Sequence, residues 1–229
     1  MTESTSTPSG MRRKPLQARS QERVKRILDV AEALFIAEGY TATTTNAIAT
    51  RAQVPIGSLY QFFPDKAAIL QALALRYNEQ LHQRLIELNR GDGLSQPLSV
   101  YVHAIIDTAH QFFTDHPGYT AIYIEMQGTM PELQEIDAAA DAQLIQDFAA
   151  DLFQRNPGLE PMDYEAIAFV LVKAIGTLLW LSLSQAPLFR QRLVAETKRF
   201  ALHYLQSYFP ADPRPANHSA GADGLESVP

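Results

Sequence analysis

Cysteine is absent from the 229 residues, which rules out disulfides, thiolate-held zinc and a thiol nucleophile. The six histidines never gather with carboxylates at ligand spacing. His103 and His110 share a helical face, and neither a metal nor a cofactor is expected. A Gly-rich phosphate loop, a nucleophile–base pair and closely paired carboxylates are also missing. Glu125, Glu132 and Asp137 read as solvated helix faces, and an enzyme is not expected. The Ser/Thr/Pro-rich start has no apolar run behind its basic residues, unlike a secretory signal. A cytoplasmic location is expected.

Charge of one sign is scarce in each part of the chain. Residues 1–66 hold nine Lys and Arg against six Asp and Glu, a net of +3, while the remainder holds ten against nineteen, a net of −9. Between Arg12 and Arg26 there are seven basic residues and only Glu22 opposes them. An acidic protein with one basic end is expected to meet a polyanion through that end.

Sustained period-two alternation is lacking too, whereas helical periodicity runs almost throughout. The expected class is all-α. A first helix is predicted over Gln17–Glu38, with Val24, Ile27, Leu28, Ala31, Leu34 and Phe35 on one stripe and Gly39 as its stop. Short helices follow from Thr44 or Thr45 to Ala52 and from Pro55 or Ile56 to Phe62, then a long one over Lys66–Leu88. Further helices are expected at Leu98–Asp115, Gly118–Met126, Pro131–Arg155, Asp163–Ser184 and Pro187–Tyr208. The organisation is a disordered basic arm (1–14), a head of three helices (15–66) and a connecting helix (66–89). A larger helical bundle (90–209) and a disordered tail (210–229) complete it.

The segment Tyr164–Ser184 is apolar and long enough to reach across a bilayer. Lys173 lies in its middle and no positive-inside flank is evident, so no membrane contact is expected. Together with the apolar helix after it, it is expected to meet its symmetry mates as a four-helix interface. Homodimer contacts are therefore placed at about 163–184 and 187–208.

Residues 43–66 contain two short helices joined by a tight turn. They are too small to bury a core alone, so the helices before and after must serve as a platform. Ile48, Ala49 and Ala52 face inward from the first, and Val54, Leu59 and Phe63 pin the second. This is the layout of a helix-turn-helix, whose second helix enters the major groove of double-stranded DNA. Outward residues of that helix are Ile56, Gly57, Ser58, Tyr60 and Gln61. Ile56 suits a thymine methyl, Gln61 an adenine edge, and Ser58 and Tyr60 a base or phosphate. Gly57 allows close backbone approach. Thr44 suits a cap, Thr45 a phosphate, and Lys66 supplies a point charge.

The chain resembles the TetR family of bacterial transcription regulators. The resemblance lies in Glu-Gly-Tyr at 38–40, Ala-Thr-Thr-Thr at 42–45, Ile-Ala at 48–49, Ala52, Val54, Gly-Ser-Leu-Tyr-Gln-Phe-Phe at 57–63 and Asp-Lys at 65–66. It spans about Gln17–Tyr77. It implies phosphate contacts at Thr44, Thr45, Tyr60 and Lys66, and base readout around Asn46, Ile56, Gly57, Ser58 and Gln61. It also implies a dimer on a palindromic operator, repression, and release by a small-molecule effector. Two positions depart from the pattern. Gln53 stands where the turn often carries Gly, implying a non-Gly residue at positive φ, and Pro55 stands where Ser or Thr commonly caps the reading helix.

An effector would lie among the downstream helices. His110, Phe113, Tyr123, Met126, Gln127, Phe148, Thr177 and Trp180 are the candidate ligand contacts, with Gln143 as a further polar one. An aromatic, charge-poor lining for a planar or apolar ligand is expected. The alternatives are a DNA-binding factor without ligand control, and a helical small-molecule carrier or enzyme.

Overall fold

The structure is a computed structural model that describes residues 18–88, 93–119 and 130–210. Among the described residues every regular element is helical, in agreement with the all-α expectation. In chain order they are α1 (Ala18–Glu38), α2 (Thr45–Arg51), α3 (Ile56–Phe62), α4 (Lys66–Leu88), a 3-10 turn (Gly93–Ser95), α5 (Leu98–Asp115), α6 (Pro131–Arg155), α7 (Pro161–Leu183) and α8 (Pro187–Tyr208). The helix expected at Gly118–Met126 begins within the described region, where residues 117–119 are helical; the rest of it, the arm 1–14 and most of the tail fall outside.

The N-terminal head assembles on the stripe that periodicity singles out. Val24, Ile27, Leu28, Ala31, Leu34 and Phe35 of α1 are all buried. Gly39 takes φ +82°, and its amide bonds to Phe35 O at 3.0 Å, closing the helix in the left-handed conformation that glycine adopts without penalty. Thr44 Oγ1 accepts from the amide of Ala47 at 3.1 Å and caps α2. Asp65 Oδ1 accepts from the amide of Ala68 at 2.8 Å and caps α4.

The bundle follows from a second set of apolar faces. α6 packs on α7 and α4, α7 on α8, and α5 on both α4 and α8. α7 starts at Pro161 rather than Asp163, because a proline fits a first turn whose amides lack partners. By length and composition α7 is able to cross a membrane. Here it lies between α6 and α8, and Lys173 pairs with Asp141 of α6 at 2.5 Å.

Head and bundle meet where α4 passes α1. Arg76 bonds to Asp29 at 2.6 Å and also to Glu32, while Tyr77 Oη donates to Glu32 Oε1 at 2.5 Å. Burial alone would raise the Asp29 carboxyl, but hydrogen bonds from Lys25 and Arg76 outweigh it and hold the group below its ordinary value. Tyr77 is nearly sealed from solvent, and burial followed by the Glu32 hydrogen bond pushes its phenol far above the ordinary range. Gly118 leans on this junction: a Cβ there would stand 2.6 Å from Tyr77 Oη and 2.8 Å from Glu32 Oε1.

Gly118→Ala should therefore overpack the junction and cost about 1–3 kcal/mol. Thermal unfolding of this variant should begin earlier, and adding Tyr77→Phe, which removes the nearest clashing atom, should recover part of the loss. Additive losses in the double variant would refute the steric account.

Candidate nucleic-acid interface and ligand cavity

The two seven-residue helices cross closely because Ala49 and Ala52 leave only methyl groups between them. Ile48, Leu59, Phe62 and Phe63 fill the space beneath them and are almost wholly buried. The turn between them needs a left-handed residue, and Gln53 supplies it at φ 54°. A non-glycine residue there costs about 1–2 kcal/mol. The neighbouring amide of Val54 still bonds to Ala49 O at 3.0 Å. Pro55 sits at the cap position of α3 rather than inside its first turn. It offers no side-chain cap, but its carbonyl accepts from Ser58 at 2.8 Å and Leu59 at 3.2 Å.

This packing leaves one face bare. Asn46, Ile56, Gly57, Tyr60 and Gln61 are exposed, and Thr45 and Ser58 are half-buried beside them. Thr45 Oγ1 and Tyr60 Oη lie 3.0 Å apart, so the two helices present their hydroxyls as a pair. Gly57 has ordinary helical φ, and a Cβ added there would meet nothing within 4 Å. Glycine in a helix costs about 1 kcal/mol relative to Ala. Among the described residues nothing requires its small size.

Lys66 departs from the expectation of a free point charge. Its ammonium donates to the carbonyls of Tyr40 at 2.5 Å, Thr43 at 2.7 Å and Thr41 at 3.3 Å, and it rests 4.3 Å from the centre of the Tyr40 ring. With three donors spent on backbone, it ties the loop after α1 to the start of α4 instead of pointing outward. Among the described residues of the head, positive charge without an acidic partner lies on α1. Arg19, Arg23 and Arg26, on one side of α1, line a concavity of about 540 Å³ that reaches Gln53 and Pro55 at the turn. The sequence marks the basic run but not its convergence on the turn, which depends on how α1 packs against α2.

A larger cavity of about 910 Å³ opens between α4, α5, α6 and α7. Of the eight expected ligand contacts, Phe113, Phe148, Thr177 and Trp180 line it, as does Gln143. Tyr123, Met126 and Gln127 fall outside the described residues. His110 does not line it. Burial and then Arg190 lower the pKa of that imidazole, and its Nε2 is enclosed without a hydrogen-bond partner. The expectation of a charge-poor lining is also corrected, because Glu79, Asp137, Asp141, Asp147 and Asp151 all border the space. Asp141 pairs with Lys173, Asp147 with His82 at 2.6 Å, and Asp151 accepts from the Tyr101 hydroxyl at 2.6 Å. Burial pushes Asp137 up to about 7; the Asn78 amide works against this, Asp141 adds to it and Lys173 opposes it. Asp137, placed on a solvated face by sequence alone, belongs to the cavity wall.

Residues 27–73 match the family described as bacterial regulatory proteins, tetR family, and residues 97–205 match the tetracyclin repressor-like C-terminal domain. The chain belongs to the TetR family. Members are helix-turn-helix transcription regulators rather than enzymes. The transcriptional activator FasR of Mycolicibacterium smegmatis is 28% identical over 198 residues, 85% of this chain and 88% of that protein. The transcriptional repressor KstR of Rhodococcus jostii is 42% identical over 64 residues, 28% of this chain and 30% of that protein. The chain spans less than half the length of the first two curated relatives it matches, 40% of an HTH-type transcriptional regulator of Bacillus subtilis and 30% of KstR. A TetR-family regulator from Streptomyces coelicolor superposes with a TM-score of 0.59 at 25% identity, covering 81% of this chain and 98% of that one.

Asp137 generates a pH prediction. Below its ordinary value of 3.8 the carboxyl is protonated in the folded and unfolded chain alike and carries no penalty. Between there and about 7 only the unfolded chain ionises, so stability falls as pH rises through that window and then levels off. Asp137→Asn should remove the loss. Discounted for residual solvent contact, the gain is about 1–2 kcal/mol, or about 2–8 °C in melting temperature at pH 8. Melting curves at pH 4 and pH 8 check this: an equal shift at both values would contradict it.

Proposed function

We propose that this chain is a ligand-responsive repressor that binds a palindromic DNA operator as a homodimer in the cytoplasm and lets go when a small molecule fills the cavity. The observation that carries the reading is the bare face of α3, with a glycine that the protein interior does not require. A helix without a side chain at that point lets its backbone approach base edges closely.

On this reading Asn46, Ile56, Gly57, Ser58 and Gln61 face the bases, while Thr44, Thr45 and Tyr60 meet phosphates. Arg19, Arg23 and Arg26 grip the flanking backbone. The units are the head up to residue 66, α4 as connector, and an effector-binding and dimerising bundle ending near 209. Dimerisation falls to α7 and α8, whose outer sides carry Phe169, Leu181, Leu188, Phe189 and Phe200 in solvent, Leu188 being 83% exposed. Large apolar side chains in such number on adjacent helices fit a covered interface better than open water. A two-fold dimer then sets its reading helices about 34–36 Å apart, one turn of DNA.

α4 couples the two functions. Its first turn belongs to the head through Lys66, and its later residues Leu75, Asn78, His82 and Leu85 line the cavity. A ligand that displaces α4 changes the spacing of the heads. Moving the population from mostly bound to mostly free takes a differential affinity of about 5 kcal/mol between the two states.

Operator titrations at several salt concentrations test the contacts. Arg19→Ala and Arg23→Ala should weaken binding to every sequence and flatten the salt slope by about one unit each. Gln61→Ala and Ser58→Ala should instead relax base preference, by about 1–3 kcal/mol per lost bidentate contact. Identical behaviour of all four, or a monomer that ignores its own upstream DNA at low ionic strength, would overturn the assignment.

A further inference from the structure

We propose that the cavity takes a bulky organic cation, its positive centre drawn to the carboxylates of α6 and its apolar body held by the aromatic wall. This deepens the effector reading above and rests on it.

The sign of the lining is the first argument. Asp137, Asp141, Leu144, Phe148 and Asp151 follow one another at helical spacing along the side of α6 that borders the cavity. Carboxylates thus stand at both ends of an apolar stretch. Glu79 of α4 and Asp147 add two more. Among the described lining residues the basic side chains are Lys173 and His82, and each is already joined to an aspartate. An anionic ligand would have to break one of those pairs and then face the carboxylate it released. A cation meets no such obstacle.

The remaining lining decides which cation. No three His, Asp or Glu side chains among the described residues converge as a metal site would need, which disfavours a small, strongly hydrated ion. Aromatic rings instead surround the space. Tyr119 meets Trp180 edge to face at 6.3 Å, and Tyr101 stacks on Phe148 at 6.2 Å. Ring faces attract diffuse positive charge and bury apolar groups at once. A volume of about 910 Å³ accommodates a ligand of drug size.

Trp180 is the only tryptophan in the chain, so its fluorescence reports occupancy directly. Tetraphenylphosphonium and tetraphenylborate share a shape and differ in sign; triphenylphosphine oxide serves as the neutral comparison. Titrated into the full-length protein, the phosphonium should change Trp180 emission saturably, with the borate binding at least tenfold more weakly. Borate binding as well or better would overturn the cation inference and leave an effector cavity standing. Silence of Trp180 with all three probes would sink the cavity reading as well. Asp137→Asn should weaken the phosphonium at least fivefold without changing the phosphine oxide. Equal weakening of both would make Asp137 a packing residue and count against the proposal. The comparison of the two ions on the unaltered protein stands even if the variant folds poorly.

Discussion

The two helices of the helix-turn-helix are seven residues each, and at that length a helix in water does not hold its own shape. What holds α2 and α3 is burial against α1 and α4, and what holds α4 in register with the turn is the Lys66 ammonium on three backbone carbonyls. Carbonyls at the end of a turn have no helical partners of their own. One ammonium satisfies three of them at once, where a neutral amide side chain offers only two N–H donors. The position of the exposed face of α3 therefore depends on a charge turned onto the protein's own backbone.

Much of this was legible in the sequence, for a specific reason. Apolar periodicity, caps and turn residues are local signals. The stripe of α1, the Thr44 cap and the limits of α4 follow from residues within a few positions of one another, whereas the positive φ of Gln53 was implied by the family pattern. The exposed set on α3 was equally readable, because a helix with one buried face has only one other face to offer. Lys66 was misread because its partners, Tyr40 to Thr43, lie more than twenty positions away. A lysine beside a polyanion site looks the same in sequence whether it faces outward or inward.

The cavity lining was hidden by the same kind of distance. Asp137, Asp141 and Asp151 sit on a helix whose composition gives little sign of which face is inside, since alanines occupy 138–140 and several exposed positions are apolar. Carboxylates on such a helix are normally assigned to solvent. Their inward placement requires a space, and the space exists only because α4, α5 and α7 diverge around it. His110 failed in the opposite direction. It lies on the right helix, but the register of α5 sets it beside Arg190 of α8 instead of the cavity. Four of the eight expected contacts were aromatic or small polar residues whose helices converge, and these do line the space.

These features connect at one place. Tyr77 stands next to Leu75 and Asn78, which line the cavity, and its hydroxyl bonds to Glu32 on α1, the helix that supports the reading pair. Its ring also meets Tyr119 edge to face at 5.4 Å, and Tyr119 meets Trp180 in the cavity wall. A continuous set of packed groups thus runs from the cavity to α1, in parallel with the backbone of α4 itself. The part-buried hydrogen bond resists small adjustments, because losing it would leave the Glu32 carboxylate with Arg76 as its remaining side-chain partner. Displacement of Tyr119 by a ligand would consequently be passed on as movement of α1 and α4 together rather than absorbed at the junction. Rigid transfer of that kind is what a regulator needs if a small shift around a ligand is to alter the spacing of two reading helices.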